Sequence, residues 1–581
     1  MSAATADEAA DEKGKKKHPR DPAREVVETI VFVVVLVLLL KLFVTEAFVI
    51  PTGSMAETLY GYQSVITCAK CGHEFPVNAH DQVEPNQQTG LRHPLVGYCC
   101  PNCRYVGSVK DLNPVPTPRT GDRVLVLKPL YHLRPPHRGD VVVFKYPEKP
   151  QENHVAANYI KRAMGFGGET VAIHRGDLFV TTSLAYPADN PLFPRPDNPL
   201  DLWESRYMYP NSAQAEALFE AARKAGFTDR VPGGFQIVRK EEPQLRADMR
   251  LVWDNDKQPK DLVGQVPPRW APLGSETKWN ADSREQPRAF AHTGGDLDWL
   301  RYQHLVWKGD ESGKLAYDSS DRPVPWRWDG KESTKPVAGP VDNMLGYNAG
   351  YDLNPMTQRQ ERRDDRGPEA TMWVGDLTLE CEVDLPAGSD VVLELSKGPN
   401  RFQAKFGGGQ VSLARVGPKG PEFGNPARAC RVDAGVHRLR FANVDCRLWV
   451  WVDDRRIDFG AEGDYSPAEP AAYDPEDRQK EGWTRANDVE APAGIGARGP
   501  VAAIRNIKLF RDVYYTRSGG DQTGADIFYV QPGHYLCLGD NSAQSSDSRK
   551  WGAVPDRLML GKAVFVFWPG YPPPSRIGFI K

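Results

Sequence analysis

The chain predicts a mainly β protein in several parts with a single apolar helix near its N-terminus, and three observations lead there. Strand-like alternation punctuated by 50 Pro and 52 Gly runs through most of the 581 residues. Helical periodicity is rare, and one uninterrupted apolar run stands apart from everything else. The length adds a division into about four units, since a domain is typically about 150 residues. Lys plus Arg number 73 and Asp plus Glu 76, a formal charge of −3. No global basic field exists to attract nucleic acid, so no nucleic-acid partner is expected. With 40% hydrophobic and 26% charged residues the composition is globular, which excludes wholesale disorder and a polytopic membrane protein.

The apolar run is VVETIVFVVVLVLLLKLFV, Val26 to Val44. At 1.5 Å per residue it reaches across most of a hydrocarbon core of about 30 Å, and it predicts a transmembrane helix over 26–44. A cleaved secretory signal is the other reading, but no small-residue cleavage site follows, because the chain continues into TEAFVIP. Six Lys or Arg lie between Lys13 and Arg24, and Thr45 to Ser64 holds none. By the positive-inside rule, residues 1–25 form a disordered basic cytoplasmic arm and everything after Val44 lies on the outer face of a bacterial-type plasma membrane.

Alternating strands are visible in DRVLVLK (Asp122 to Lys128), GDVVVFKY (Gly139 to Tyr146), NYIKRAMGF (Asn158 to Phe166) and KAVFVFW (Lys562 to Trp568). The last sits far from the others, at the C-terminus, so one sheet interrupted by a large insertion is expected. The clearest soluble helix is Ser212 to Ala225, with a Ser cap and Gly226 after it.

Two residues carry candidate chemistry. Ser54 lies in FVIPTGSMAETLYG, where Pro51 and Gly53 favour an irregular turn that frees a serine from regular pairing. Lys161 lies in YIKRAMG among Tyr159, Ile160, Ala163 and Met164, and desolvation there favours a neutral amine able to act as a base. FVIPTGSMAETL, GDRVLVLK, RGDVVVFKYP, YIKRAMG and GDNSAQSSDSRKWGAVP follow one another in that order. This arrangement closely resembles the type I signal peptidases, serine proteases with a Ser/Lys dyad. The resemblance implies Ser54 as nucleophile and Lys161 as general base, with Thr52 and the Ser54 backbone N–H forming the oxyanion hole. It also implies that Ser545 orients the lysine amine and that Asp547 and Arg549 form a supporting charge pair. Signal peptides of exported preproteins, with small side chains at the first and third positions before the cut, would be the substrates, and no cofactor would be needed for catalysis. The turn after the lysine, Gly165 to Glu169, departs from the family pattern and touches no proton-transfer group.

Between these boxes lie two insertions. Cys68, Cys71, Cys100 and Cys103 form C-x2-C-x28-C-x2-C, which looks like a zinc ribbon with a structural metal, two disulfides being the alternative. The larger insertion runs from about Val171 to Arg511. Its first half is polar, Pro-rich and of unassigned fold. Its second half alternates cleanly, with Leu377, Leu379, Cys381, Val383 and Leu385 on one face, and GVHRLRFANVDCRLWVWVDDRRI resembles the laminin-G and concanavalin-like jelly rolls. Such a sandwich serves structure or substrate docking, or binds glycan or protein. Its own core would let the insertion be excised with little effect on the site.

The expected division is therefore 1–25 arm, 26–44 membrane helix, 45–63 first catalytic part and 64–109 zinc-ribbon-like insertion. Then follow 110–185 second catalytic part, 186–366 unassigned insertion, 367–511 β-sandwich and 512–581 third catalytic part. A different class of function is a catalytically retired anchor that presents the sandwich as a binding module. Intact Ser54, Lys161 and Ser545 argue against it.

Overall fold

The computed structural model describes residues 22–85, 90–146, 157–184, 212–260, 267–284, 286–306, 337–353, 360–362, 372–417, 424–467, 484–517, 524–570 and 576–580. Its elements are mainly β-strands. An eight-stranded antiparallel sheet gathers the alternating blocks from both ends of the chain. Thr45–Val49 pairs with Arg123–Leu127, and then come Met559–Trp568, Val141–Lys145, Asn158–Phe166, His534–Leu538 and the short Val554–Pro555. One face of this sheet buries Val124, Val126, Val141, Val143, Ala563 and Val566 against Ile50, Met55 and Leu59 of the turn after the first strand. Period-2 alternation sets which residues those are.

That turn is tied to the sheet by Asp122. Its carboxylate accepts from the Tyr60 N–H at 2.9 Å, the Gly570 N–H at 2.8 Å and the Arg576 guanidinium at 2.7 Å, and the residue is fully buried. Gly121 has to be glycine for a steric reason: a Cβ there would lie 1.8 Å from the Ile50 carbonyl oxygen.

A four-stranded sheet, Gln236–Ile237, Asp177–Thr181, Thr170–His174 and Asp526–Tyr529, leads into the large insertion. The helix anticipated after Ser212 spans Ala213–Lys224, with the Ser212 hydroxyl accepting from the Ala215 N–H and Gly226 at φ 71° closing its end. Beyond it stand two facing sheets of eight and seven strands. The first centres on Val501–Arg511, Leu377–Leu385, Gly435–Val444 and Arg447–Val452; the second on Ala493–Arg498, Asp390–Lys397, Asn400–Gly407 and Gln410–Val416. Both also take strands from before residue 367. Arg250–Asp254, Trp279–Ala281 and Phe290–His292 join the first sheet, and Trp270–Pro272 and Asp298–Tyr302 the second. Trp253, Trp270 and Trp279, scattered through the part whose fold the sequence left open, are buried in this sandwich.

Two expectations need correction. The apolar run is not one continuous helix. An α-helix covers Pro22–Leu39 and a π-helical turn follows over Leu40–Val44. Arg24, Glu25 and Glu28 occupy its first turns, and among the described residues no helix is long and apolar enough to cross a membrane. Nor does the insertion keep a core to itself. One contiguous apolar cluster joins Ile66, Cys68 and Val77 of the cysteine-bearing segment to Trp253, Leu379 and Phe441 of the sandwich and to Ala172 and Ile527 of the small sheet. Excision would open that cluster to water.

Asp122→Ala removes the acceptor for two buried backbone N–H groups and the carboxylate partner of Arg576, which keeps only the Glu57 and Thr58 carbonyls among the described residues, so it should lower unfolding free energy by about 3 kcal/mol. Urea denaturation of purified protein checks this, and a loss under about 1 kcal/mol would show that the turn is held by packing alone.

Candidate active site

The nucleophile turn and the lysine strand meet on one face of the first sheet. Lys161 pairs in register with Val142, and its neighbour Arg162 points to the opposite face, as successive strand residues must. Lys161 Nζ lies 2.7 Å from Ser54 Oγ and 2.9 Å from the Ile160 carbonyl oxygen, and the residue is 2% exposed. Burial pushes its pKa down from 10.5 to about 8, against the opposing pull of Asp547. Ser54 is itself buried, and the turn is closed by the Ala56 N–H donating to the Gly53 carbonyl and the Leu59 N–H to the Met55 carbonyl. A neutral amine has one lone pair and two N–H donors. The lone pair can take the Ser54 proton while one N–H is held by the Ile160 carbonyl, so the pair is chemically competent to generate a serine alkoxide.

The other anticipated residues come together around this pair. Arg549 forms a two-point pair with Asp547, Nε to Oδ1 at 2.9 Å and Nη2 to Oδ2 at 2.7 Å, in a nearly dry setting. Burial raises the Asp547 pKa, but the guanidinium outweighs it and holds the carboxyl below its ordinary range. Asp547 also accepts from the Gly539 N–H at 3.0 Å. Ser545 is buried beside the turn. A Cβ on Gly539 would lie 2.1 Å from its Oγ and 2.5 Å from the Ser54 carbonyl oxygen, which is why that position is glycine. The hydrogen bond anticipated from Ser545 to the lysine is not made, since the amine's bonds go to Ser54 and Ile160. Thr52 is exposed at the mouth of the turn.

Sequence reasoning passed over three supports. Arg162 forms a fully buried two-point pair with Asp540, at 2.8 and 2.6 Å. Asn541 donates its side-chain N–H to the Gly53 carbonyl at 3.0 Å and its backbone N–H to the Ser54 carbonyl at 3.1 Å. Asp122 is the third. All three lie inside or beside the quoted boxes, so the signal was present, but their partners are hundreds of residues away.

Cys68, Cys71, Cys100 and Cys103 place their sulfur atoms within 4.8 Å of one another, and two of those distances are 3.7 Å. A tetrahedral zinc with Zn–S of about 2.3 Å needs sulfur atoms about 3.8 Å apart, so the set fits a closed four-thiolate site. The two knuckles have matching backbones. The Gly72 and Arg104 N–H groups donate to the Cys68 and Cys100 carbonyls, and both residues have positive φ. At 3.7 Å the thiols are not bonded as disulfides, and the nine cysteines are free, Cys430 and Cys446 included.

A serine hydroxyl 2.7 Å from a buried amine of lowered pKa is a pair able to supply a nucleophile and a base. The family model described as "Signal peptidase, peptidase S26" matches residues 106–215 and 461–568, which hold Lys161, Ser545, Asp547 and Arg549 but not Ser54. Signal peptidase I of Pseudomonas aeruginosa is 32% identical over 174 residues, 26% of this chain and 57% of that protein. Signal peptidase I of Leptolyngbya laminosa is 38% identical over 79 residues, 13% of this chain and 37% of that protein. The chain thus spans about half the length, or less, of these curated relatives. Parts of the chain, residues 106–215 and 461–568 among them, are thus similar to signal peptidase I, a serine peptidase. Among solved structures, a carbohydrate binding module from Bacillus subtilis aligns with 42% of this chain and 96% of its own at 9% identity, with a TM-score of 0.21.

Lys161 makes stability depend on alkaline pH. Below pH 8 the amine is protonated in the folded and unfolded chain alike, and the cost of burying the charge is felt in full. Between 8 and 10.5 the unfolded state binds the extra proton, so stability rises with pH, and above 10.5 the rise is complete. Relative to Lys161→Met, the wild type should gain about 3 kcal/mol across that window in chemical denaturation. Parallel curves for the two proteins would mean that the lysine is not desolvated.

Proposed function

We propose that the protein is a membrane-anchored serine endopeptidase that removes N-terminal signal peptides from exported preproteins. The observation that carries this reading is the 2.7 Å approach of the buried Lys161 amine to the Ser54 hydroxyl. Ser54 Oγ attacks the scissile carbonyl as Lys161 takes its proton, and the Ser54 N–H with the Thr52 hydroxyl receives the developing oxyanion. The lysine then protonates the leaving amine, releasing the mature protein and leaving an acyl-enzyme. A water deprotonated by the same amine frees the signal peptide. The substrate binds as an extended strand, with its small residues before the cut in shallow pockets. Asp547 and Arg549 hold the last box in place, and Ser545 supplies an acceptor for the second N–H of the lysine once substrate settles the site.

The helix Pro22–Leu39 supports the anchor, because Phe32, Leu38 and their neighbours are exposed and none of its residues is buried among the described ones. An apolar surface of that extent calls for lipid. The catalytic sheet, joined directly to this helix, then works at the membrane surface. The sandwich serves as a docking surface for preprotein or glycan. Cys68, Cys71, Cys100 and Cys103 would hold a structural zinc, which would tie together the two hairpins that carry them and leave no open position for chemistry.

Ser54→Ala and Lys161→Ala should each abolish cleavage of a peptide bearing an Ala-x-Ala site, and the double variant should be no worse, because the two act in one proton transfer. Lys161→Arg should fail too, since a guanidinium does not deprotonate. Wild-type turnover should rise with pH to a plateau through a midpoint near 8, where the amine becomes neutral. Near-normal turnover in Lys161→Ala would remove the lysine from the mechanism.

Elemental analysis should find about one zinc per chain, lost in Cys68→Ser with Cys100→Ser together with thermal stability. Mass mapping of disulfides among the four cysteines would overturn the metal assignment.

A further inference from the structure

We infer that Asn348 and Tyr347, carried by the large insertion, are positioning residues for the Ser54 nucleophile, Asn348 acting through Asn541 and Tyr347 through its ring against Gly53; the inference rests on the Ser/Lys reading above. The two carbonyls flanking the nucleophile, of Gly53 and Ser54, both accept from Asn541. The Gly53 oxygen can only accept, which fixes the Asn541 nitrogen on that side. Its side-chain amide is then completed by Asn348. Asn348 Nδ2 donates to Asn541 Oδ1 at 2.6 Å, and Asn541 Nδ2 donates back to Asn348 Oδ1 at 2.8 Å. Both residues are buried, so no water replaces a missing partner. Without Asn348 the Asn541 amide loses two of its three hydrogen bonds and the grip on Gly53 loosens.

Tyr347 closes the same turn from above. Its ring lies so near Gly53 that a Cβ there would fall 2.0 Å from Cε1, and its hydroxyl donates to the Tyr62 carbonyl at 2.9 Å. The strictness of glycine at position 53 thus comes from an aromatic ring supplied by the insertion. The Gly346–Asn348 turn is itself seated on the second cysteine knuckle. A Cβ on Gly346 would meet Pro101 at 2.9 Å, and the Cys99 N–H donates to the Ala349 carbonyl at 2.8 Å. The next residues, Gly350–Leu353, pair with the ribbon strand Leu95–Cys99. A continuous, packed path therefore runs from the knuckle through the insertion to the serine.

The test uses the full chain in detergent and a peptide with an Ala-x-Ala site. Asn348→Ala should lower kcat about 10- to 100-fold, the scale of a slightly misplaced nucleophile, with KM and the pH midpoint unchanged. Asn541→Ala combined with Asn348→Ala should be no slower than Asn541→Ala alone. Tyr347→Phe keeps the ring over Gly53 and should stay within about threefold of wild type, a loss of one hydrogen bond. Hydrogen exchange at the Ala56 and Asn541 amides, which bond to the Gly53 and Ser54 carbonyls, should quicken in Asn348→Ala whether or not the peptide is cleaved. A wild-type protein that does not cleave the peptide would therefore strike the dyad reading and leave this contact open to the exchange measurement. Unchanged exchange, unchanged kcat, or losses that multiply in the double variant would each overturn the inference.

Discussion

An amine serves as a base only when it is neutral, and burial, which disfavours the ammonium, lowers the pH at which a lysine becomes so. Lys161 meets this condition by lying in the Asn158–Phe166 strand, which has a hydrogen-bonded neighbour on each side, with Val142 in register beside it. Such a position must be filled from distant parts of a chain. The strand after it comes from His534–Leu538, and the serine comes from the turn that follows Thr45–Val49. The order of the sheet is in effect the condition for the pKa.

Burial alone would be undone by nearby carboxylates, since Asp547 and Asp540 both raise the lysine pKa. Each is therefore committed elsewhere. Asp547 is held by Arg549 and Asp540 by Arg162, both through two-point guanidinium contacts. Arginine suits this use because it matches a carboxylate fork and does not itself lose a proton in the range where the lysine does. Lysine in either place would add a second titrating amine beside the first.

The catalytic boxes were readable in sequence because each packs a chemical residue, a turn glycine and a short alternating strand into about ten positions. The pairing of Ser54 with Lys161 and of Asp547 with Arg549 was what the resemblance carried by those ordered boxes implied. What stayed hidden depends on partners set by three-dimensional closure. Trp270–Pro272 and Trp279–Ala281 are three-residue strands, too short to show a period, yet they complete the two sheets. Asn348 sits in a 3₁₀ turn with no periodic signal, and nothing local announces that its partner is Asn541. The charges at Arg24, Glu25 and Glu28 were in plain view, but a hydropathy average over Val26 to Val44 passes over where a helix changes to a π turn.

The insertion is fixed at both its neck and its far side, which is what allows so large a module to sit within a catalytic sheet. At the neck, Gly176 bridges Tyr515, and Lys240 joins Asp445 and Asp512 at 3.1 and 2.5 Å. At the far side, Arg104 pairs with Asp342 at 2.7 Å and Gly350–Leu353 extends the hairpin that carries Cys99 and Cys100. A module held at one point can swing, whereas one held at two cannot rotate without breaking a buried ion pair. The same rigidity reaches the N-terminal helix. The Lys128 N–H donates to the Val44 carbonyl, Lys128 pairs with Glu46 at 2.7 Å, and Thr45–Val49 is already part of the sheet. No linker separates the apolar helix from the sheet, so the position of Ser54 relative to that helix is set by strand pairing rather than by a flexible tether.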